Sequence, residues 1–374
     1  MDNLIGLYVH IPFCRKKCNY CDFNSYSGCY DMQKDYFSAL FSEIEEKEKL
    51  CENFVCDTIY IGGGTPTSVD TEYITELLKM LKKHFNISKD AEITIECNPK
   101  TAEISDFEEY LNCGINRLSI GRQTSNNKIL KTLGRIHTDE DFEKCLFDAK
   151  KAGFENISAD LMFALPNQTE KIWTETLLKS VNCGLSHISC YGLKIEEGTP
   201  FYNMNLDLPN DDKNADMYEK AVKILENAGY MQYEISNFAK KDKKSKHNLK
   251  YWSHMPYLGL GAGACSSFLN ERYANTSNLL KYINEAKTKN FLKNDFISLS
   301  KNDQMSEYMF MGLRKTEGIN LLDFKKRFGC ACEEVFSAQI DKYLKMNALI
   351  KEDENLYINK KLLYISNSIL CDFV

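Results

Sequence analysis

Residues 5–23 read IGLYVHIPFCRKKCNYCDF, an apolar segment that runs directly into three closely spaced cysteines. The stretch Ile5–His10 is rich in β-forming residues and predicts a strand. Cys14, Cys18 and Cys21 follow at spacings of four and three, and so compact a loop can direct three thiolates at one iron–sulfur cubane. One iron would keep no protein ligand and could bind a cofactor. We therefore predict a [4Fe–4S] cluster on these cysteines.

The remaining cysteines give weaker signals. The chain has 15 cysteines and no recognisable export signal, so we expect no disulfide framework. Cys29 could instead close a structural zinc site as a fourth ligand. Zinc sites usually pair their cysteines in two separate doublets, which this sequence lacks, so the cluster is favoured.

Beyond the cysteines, short apolar runs alternate with longer amphipathic stretches. Strands are predicted near Ile5–His10, Thr58–Ile61, Ile93–Cys97, Arg117–Ile120, Ile157–Met162 and His187–Leu193. Helices are predicted near Met32–Leu50, Thr71–His84, Ile104–Asn112, Asp139–Ala152, Lys171–Asn182 and Lys213–Ala228. Six consecutive strand–helix units predict an α/β fold with a parallel sheet, either open and doubly wound or curved into a partial barrel.

Polar and glycine-rich features follow five of these strands. They are the three cysteines, Gly62–Pro66, the segment from Glu96 to Pro99, Gln123 and Asp160. The carboxyl ends of parallel strands meet at one rim, where ligands collect in such folds. We therefore expect these features to converge on one site.

The strand–helix rhythm stops near residue 235, so we divide the chain into a core (1–235), a connecting segment (236–300) and a C-terminal domain (301–374). The last part predicts helices Asp303–Leu313, Leu321–Phe328 and Glu334–Met346 and a hairpin Leu349–Asn359, as in a winged domain. A wing can bind nucleic acid, but a packing role is favoured because fold alone does not imply function.

Composition limits the surroundings of the protein. The net charge of −6 gives no general attraction to nucleic acid or anionic membrane. No apolar run approaches the ~20 residues that span a bilayer. We expect a cytoplasmic protein without membrane insertion and without a nucleic-acid partner.

Ten segments together resemble the radical S-adenosylmethionine enzymes, and more narrowly the branch that holds oxygen-independent coproporphyrinogen III oxidase and a related haem chaperone. The segments are YVHIPFCRKKCNYCDF, IGGGTPT, IECNPKT, GINRLSIGRQT, LGRIHT, ADLMFALPNQT, EEGTPFY, YEISNF, HNLKYW and GLRKTEGI. The resemblance covers nearly the whole chain. It implies a partial (β/α)6 barrel with S-adenosylmethionine on the open iron and an electron donor for the cluster.

The resemblance also implies roles for individual residues. Those that match cofactor-contacting positions are Tyr8, Gly63, Gly64, Thr65, Glu96, Gln123, Arg135 and Asp160, and Tyr20 matches an aromatic residue near the cluster and adenine. The residues alone leave a second interpretation open, in which Arg135 and Asp160 form an ordinary structural ion pair.

Two departures from the oxidase pattern favour the haem chaperone, without coproporphyrinogen oxidase activity, that passes haem to an acceptor protein. Phe23 stands where the oxidase has a further cysteine, and few residues precede the first strand. By resemblance His247 is a candidate axial ligand for haem, with Tyr251 and Trp252 packing on the porphyrin and nearby lysines, Lys240 to Lys246, meeting the propionates. A lone histidine is more often structural, so that alternative stays open.

Four positions depart from the pattern of the family. Arg122 replaces an aliphatic residue and Thr124 a serine, and Ala164 stands where the family has glycine. Cys265 replaces a histidine, which either removes a ligand there or exchanges imidazole for thiolate.

Overall fold

The structure is a computed structural model, and it describes residues 3–374. The strands are β1 (Leu4–Ile11), β2 (Phe13–Cys14), β3 (Tyr26–Ser27), β4 (Val55–Gly63), β5 (Ile87–Cys97), β6 (Arg117–Gln123), β7 (Ile157–Phe163), β8 (His187–Gly192), β9 (Met231–Gln232), β10 (Asn237–Ala239), β11 (Tyr257–Leu260), β12 (Cys265–Phe268), β13 (Glu271–Ala274), β14 (Asn294–Ser298), β15 (Ile319–Asn320), β16 (Leu349–Glu352) and β17 (Asn355–Ile358).

The α-helices are α1 (Gln33–Lys47), α2 (Thr71–His84), α3 (Ile104–Cys113), α4 (Asn127–Thr132), α5 (Asp139–Ala152), α6 (Glu170–Asn182), α7 (Asp211–Asn227), α8 (Lys246–Trp252), α9 (Leu279–Thr288), α10 (Lys301–Gly312), α11 (Leu321–Phe328), α12 (Cys332–Lys345) and α13 (Asn367–Leu370). The helix predicted at Thr71–His84 is confirmed as α2, and its buried residues, Ile74, Leu77, Leu78 and Leu81, form the i, i+3, i+4, i+7 stripe of an amphipathic helix. Burying each such side chain stabilises the fold by roughly 1.5–3 kcal/mol.

The main sheet has the strand order β14-β13-β12-β11-β1-β4-β5-β6-β7-β8-β10-β9. Its six central strands, β1 and β4 to β8, pair in parallel and in chain order. A doubly wound sheet would reverse its order at a switch point, so the sequential order identifies the curved partial barrel. Within the described residues β1 and β8 do not pair with each other, because β11 borders the first and β10 the second.

Most residues of the central strands are buried on both faces, as expected of a parallel sheet. All seven residues of β6 are buried, including two arginines. Outside the sheet the helices contact one another in succession, with α1 on α2, α2 on α3, α3 on α5 and α6 on α7.

The predicted connecting segment, 236–300, contributes to both edges of the main sheet. Strand β10 extends one edge, and β11 to β14 extend the other. These strands have three to five residues, too few for a period-2 pattern to stand out in the sequence.

The C-terminal part contains the predicted helices as α10, α11 and α12. Its hairpin, β16 and β17, pairs with β15 in a small antiparallel sheet. A separate apolar cluster between Met305 and Phe373 forms its core. Across residues 3–374, no helix combines the length and the apolar character that crossing a membrane requires.

Candidate cofactor-binding site

The cysteine loop begins where β1 ends, and protein contacts hold it in place. Asn19 is its main anchor: its backbone N–H donates to the carbonyl of Leu133 at 2.9 Å, and its side-chain amide donates to that of Thr132 at 2.9 Å. The carbonyl of Asn19 in turn accepts from the N–H of Phe201 at 2.9 Å. Three hydrogen bonds at one residue therefore fix the centre of the loop against α4 and the loop after β8.

The three predicted cysteines line one cavity of about 490 Å³, here called the cluster cavity. Cys14 is buried, and Cys18 and Cys21 are half-buried. Burial raises the pKa of the Cys14 and Cys21 thiols. Cys14 Sγ lies 3.4 Å from the hydroxyl of Thr65. The thiol groups thus meet at the predicted rim.

The donor set fits a cubane better than a single ion. Among residues 3–374, no three His, Cys, Asp or Glu side chains converge on a position for one metal ion. A cubane places each thiolate on a different iron, so its ligands stay apart. Cys29, the fourth ligand of the zinc alternative, donates weakly to the Ser27 carbonyl at 3.8 Å and does not line the cluster cavity.

The glycine-rich turn after β4 packs tightly against the cysteine loop. A Cβ atom on Gly64 would lie 2.7 Å from the Phe13 carbonyl oxygen and 3.0 Å from Cys14 Sγ. Gly63 has φ +122°, and a Cβ there would lie 2.9 Å from the His10 ring. Only glycine fits these positions, since both contacts are closer than real Cβ atoms approach.

Two carboxyl groups face the cluster cavity. Glu96 accepts from the Tyr60 hydroxyl at 2.8 Å and from the Gly63 N–H at 3.1 Å. Burial raises the pKa of Glu96 to about 7, with nearby Asp160 adding to the rise. Burial also raises the pKa of Asp160, whose oxygens accept from the Ser119 hydroxyl at 3.2 Å. These oxygens can accept from an amino group or from ribose hydroxyls.

Arg135 lies at the rim of the sheet and does not form an ion pair with Asp160. Its guanidinium donates to Asn98 Oδ1 at 2.5 Å, to the Gly121 carbonyl at 2.7 Å and to Cys18 Sγ at 3.6 Å. Across residues 3–374 no Arg135–Asp160 ion pair forms, so the ordinary ion-pair interpretation has no geometric support. Arg135 Nε is buried and has no hydrogen-bond partner in the described chain, which leaves a donor for a ligand.

All but two of the predicted site residues line the cluster cavity. Those brought together are Cys14, Cys18, Cys21, Tyr20, Gly63, Gly64, Thr65, Glu96, Gln123, Arg135 and Asp160. Sequence reasoning missed Asn98, Ser119 and Tyr191 as partners of these residues. Asn98 lies inside the quoted segment IECNPKT and Ser119 inside GINRLSIGRQT, whereas Tyr191 lies in none of the quoted segments.

Tyr8 lines a second cavity of about 480 Å³, here called the aromatic cavity. Its lining includes Tyr251, Trp252, Tyr257, Cys265 and Arg272. The two cavities share Phe23, Gly63 and Glu96, so they adjoin at the rim.

His247, the predicted haem ligand, lies outside both cavities. It is fully buried. Its Nδ1 lies 2.9 Å from the Thr58 hydroxyl and its Nε2 lies 2.8 Å from the Tyr251 hydroxyl. Burial lowers the pKa of His247 to about 3. Both ring nitrogens are therefore engaged within the protein, and the lysines of the 240–246 loop also line neither cavity.

The residues that depart from the family pattern are accommodated locally. Arg122 is fully buried and contacts Asp139 through two nitrogens at 2.9 and 2.7 Å. The Thr124 hydroxyl lies 3.3 Å from that of Thr176. Ala164 has φ +59°, a left-handed conformation that glycine adopts without a steric cost.

Comparison with known families and proteins gives one consistent result. The model of the Radical SAM superfamily matches residues 8–179, and that of the HemN C-terminal domain matches residues 299–361. The chain is 35% identical to the heme chaperone HemW of Lactococcus lactis, over 98% of this chain and 96% of that protein. It is 35% identical to heme chaperone HemW of Bacillus subtilis, over 98% of both chains. For Escherichia coli heme chaperone HemW the identity is 31%, over 96% of this chain and 97% of that protein.

The fold of the whole chain is also found in a solved structure. Coproporphyrinogen III oxidase (HemN) from Escherichia coli, a radical SAM enzyme, superposes with a TM-score of 0.89 and 22% identity, over 100% of this chain and 90% of that chain. At that identity the likeness shows the fold alone.

Proposed function

Since the chain belongs to the HemW haem chaperone family of radical S-adenosylmethionine proteins, we propose that it holds haem on this scaffold and passes it to an acceptor protein. Membership of the superfamily implies a [4Fe–4S] cluster and S-adenosylmethionine. The chain would act in the cytoplasm with an electron donor for its cluster. The division into core, connecting segment and C-terminal domain is part of the same proposal.

In this proposal Cys14, Cys18 and Cys21 hold the cluster, and S-adenosylmethionine takes the iron that they leave open. When bound, the two supply one-electron chemistry that the side chains alone lack. Gly63 and Gly64 let the backbone come close to the ligand.

The other rim residues orient the cofactor in the same proposal. Glu96 and Asp160 accept from its amino and hydroxyl groups. Gln123 and Arg135 supply donors in the same cavity, Thr65 and Tyr20 complete its lining, and Tyr8 lies in the adjoining aromatic cavity.

One observation carries the haem part of the proposal: a largely apolar cavity adjoins the cluster cavity. Its volume of about 480 Å³ lies within the ~300–1,000 Å³ typical of small-molecule sites. Phe23, which stands at the junction, is a large apolar side chain that is 65% exposed. An exposed aromatic group beside a cavity is suited to a flat apolar ligand.

The cluster is tested by anaerobic reconstitution with iron and sulfide. We expect about four irons and four sulfides per chain, and we expect both to be lost when Cys14, Cys18 and Cys21 are replaced by alanine. Cys29→Ala is the matched control and should keep the full content. Equal iron in the triple variant and the wild type would refute the assignment.

Haem binding and transfer are tested by titrating the reconstituted protein with haem and then adding a haem-free globin as acceptor. We expect a Soret band that saturates near one haem per chain and then moves to the globin. A parallel anaerobic assay supplies coproporphyrinogen III, S-adenosylmethionine and a reductant. Rapid formation of protoporphyrinogen in that assay would replace the chaperone proposal by the oxidase alternative.

A further inference from the structure

The aromatic cavity has one wall built from the antiparallel edge of the main sheet. Tyr257 of β11 pairs with Ser267 of β12, which pairs with Arg272 of β13. Cys265 precedes Ser267 by two residues on the same strand, so its side chain projects from the same face. Thus Tyr257, Cys265 and Arg272 present an aromatic ring, a thiol and a guanidinium to one space.

The other wall comes from α8 and from α10. Tyr251 and Trp252 end α8, and the Tyr251 ring meets the Tyr257 ring edge-on at 4.6 Å between centroids. Arg314 follows α10 by two residues, and its guanidinium lies 4.6 Å from the centre of the Trp252 ring. This stacking contact supports the Trp252 side chain. Rigid aromatic rings on both walls favour a flat, largely apolar ligand.

Three side chains in the aromatic cavity carry a His or Cys ligand atom for haem iron, and in the described part of the chain hydrogen bonds engage every histidine ring nitrogen among them except Nδ1 of His254. His10 uses both nitrogens, Nδ1 with the Tyr8 hydroxyl at 3.0 Å and Nε2 with the Asn24 carbonyl at 2.7 Å. His254 uses Nε2 with Glu307 at 3.0 Å.

Cys265 is the candidate whose ligand atom belongs to a side chain that makes no hydrogen bond within residues 3–374, and among the cysteines of this range only Cys265 and Cys371 are exposed. Nδ1 of His254 is the alternative ligand atom, and the test below distinguishes the two. The methionines in the cavity offer uncharged thioethers, whereas a thiolate balances the charge of ferric iron.

Arg272 supplies the positive charge in the lining of the aromatic cavity, and a third of its side chain is exposed. Its Nη2 donates to Glu307 at 2.9 Å, which fixes the guanidinium plane, and its Nη1 has no hydrogen-bond partner in the described chain. A guanidinium is well suited to bind carboxylates through charge-assisted hydrogen bonds. Haem carries two propionates that can accept such bonds.

Building on the proposed function, we propose that the aromatic cavity is the haem site, with Cys265 Sγ bound to the iron and Arg272 bound to a propionate. The Cys265 thiol loses its proton to solvent when the sulfur binds iron, since a coordinating thiol is deprotonated. His247 lies outside the cavity and then acts indirectly, because its Nε2 contact with the Tyr251 hydroxyl holds that ring in place. The haem edge would lie next to the cluster cavity, because both cavities share Phe23 and Glu96.

The test compares Cys265→Ala and Cys265→His with Cys371→Ala, a variant of the other exposed cysteine. Each cluster-loaded protein is titrated with ferric haem and followed by absorbance and electron paramagnetic resonance. We expect a thiolate-type low-spin spectrum in the wild type and in Cys371→Ala. Cys265→Ala should lose that signal and bind haem at least tenfold more weakly, and Cys265→His should bind haem with an imidazole-type spectrum. Iron and sulfide content checks that each variant keeps its cluster.

Arg272→Gln tests the propionate contact, and we expect roughly a tenfold loss of haem affinity with the thiolate spectrum retained. His247→Ala, compared at equal folded fraction, should retain that spectrum as well. If Cys265→Ala kept the wild-type spectrum, the assignment of Cys265 as the iron ligand would be overturned. The same would follow if the wild-type spectrum were lost only in His247→Ala or His254→Ala. Both outcomes would leave haem binding itself intact. A wild-type protein that binds no haem would instead overturn the proposed function itself.

Discussion

At the scale of single residues, Glu96 makes the stability of the cofactor-free protein depend on pH. Its pKa is raised to about 7 in the folded protein, mainly by burial, against 4.5 for the unconstrained side chain. Below pH 4.5 the Glu96 carboxyl is protonated in both the folded and the unfolded protein, so its burial does not lower the free energy of unfolding. As the pH rises towards 7 the unfolded chain ionises first, so stability falls across this window.

The free energy of unfolding is predicted to fall by at most about 3 kcal/mol across this window. Solvent in the cluster cavity screens the Glu96 carboxylate and makes the fall smaller. Denaturant unfolding of the cofactor-free chain at several pH values measures it. Glu96→Gln should show a flatter profile between pH 4.5 and 7, whatever its absolute stability. Parallel profiles for the two proteins would contradict the raised pKa.

Ala164 provides a second prediction at this scale. Its left-handed φ of +59° places a Cβ where glycine would have none, at a cost of about 1–2 kcal/mol. Glycine also increases the entropy of the unfolded chain, which offsets part of the gain. We expect Ala164→Gly to raise the free energy of unfolding by about 0.5–1 kcal/mol, measured in urea. A lower value would show that the methyl group packs favourably.

At the scale of elements, a buried ion pair joins β6 to α5. Arg122 is fully buried, and Asp139 at the start of α5 is its partner. Removing one partner of a buried pair leaves an uncompensated charge, which costs roughly 3–5 kcal/mol. Asp139→Ala should therefore destabilise the protein by that amount in thermal or urea unfolding. Glu143→Ala, on the exposed side of the same helix, should change stability by less than about 0.5 kcal/mol.

Nine α-helices and the six parallel strands could be predicted from the sequence because each has a strong local signal, whereas α4, α8, α9 and α13 were not predicted. Stripes such as that of α2 and Val/Ile-rich runs such as β7 are visible without tertiary information. By contrast, β10 to β14 are short and owe their existence to the neighbouring strands on which they pair. The packing of α8 against β4 likewise depends on contacts such as His247 with Thr58, 189 residues apart in the chain.

The cluster cavity was predictable for a topological reason. Every parallel strand ends at the same rim, so residues such as Glu96 and Asp160 converge once the strand order is known. The aromatic cavity could not be predicted in this way. It combines α8, β11 to β13 and α10, and no periodic pattern in the sequence encodes how these elements are arranged. The engagement of both His247 nitrogens follows from the same long-range packing.

At the scale of the whole molecule, the two cavities differ in the parts of the chain that line them. The cluster cavity is lined from residues 14–248, whereas the aromatic cavity also takes Met311 from α10. Arg314 links the parts by stacking on Trp252. We expect Arg314→Gln to weaken haem binding several-fold while iron and sulfide content stay unchanged. Lys351→Gln, an exposed change on β16, is the control, and equal loss in both variants would argue against this link.

The anchoring of the cysteine loop through Asn19 has a consequence for how the chain would take up an iron–sulfur cluster. Hydrogen bonds between protein groups shape that loop, so its form does not depend on an inorganic core. A chain that had lost a cluster could therefore be reloaded with iron, sulfide and reducing equivalents, without renewed synthesis of the polypeptide.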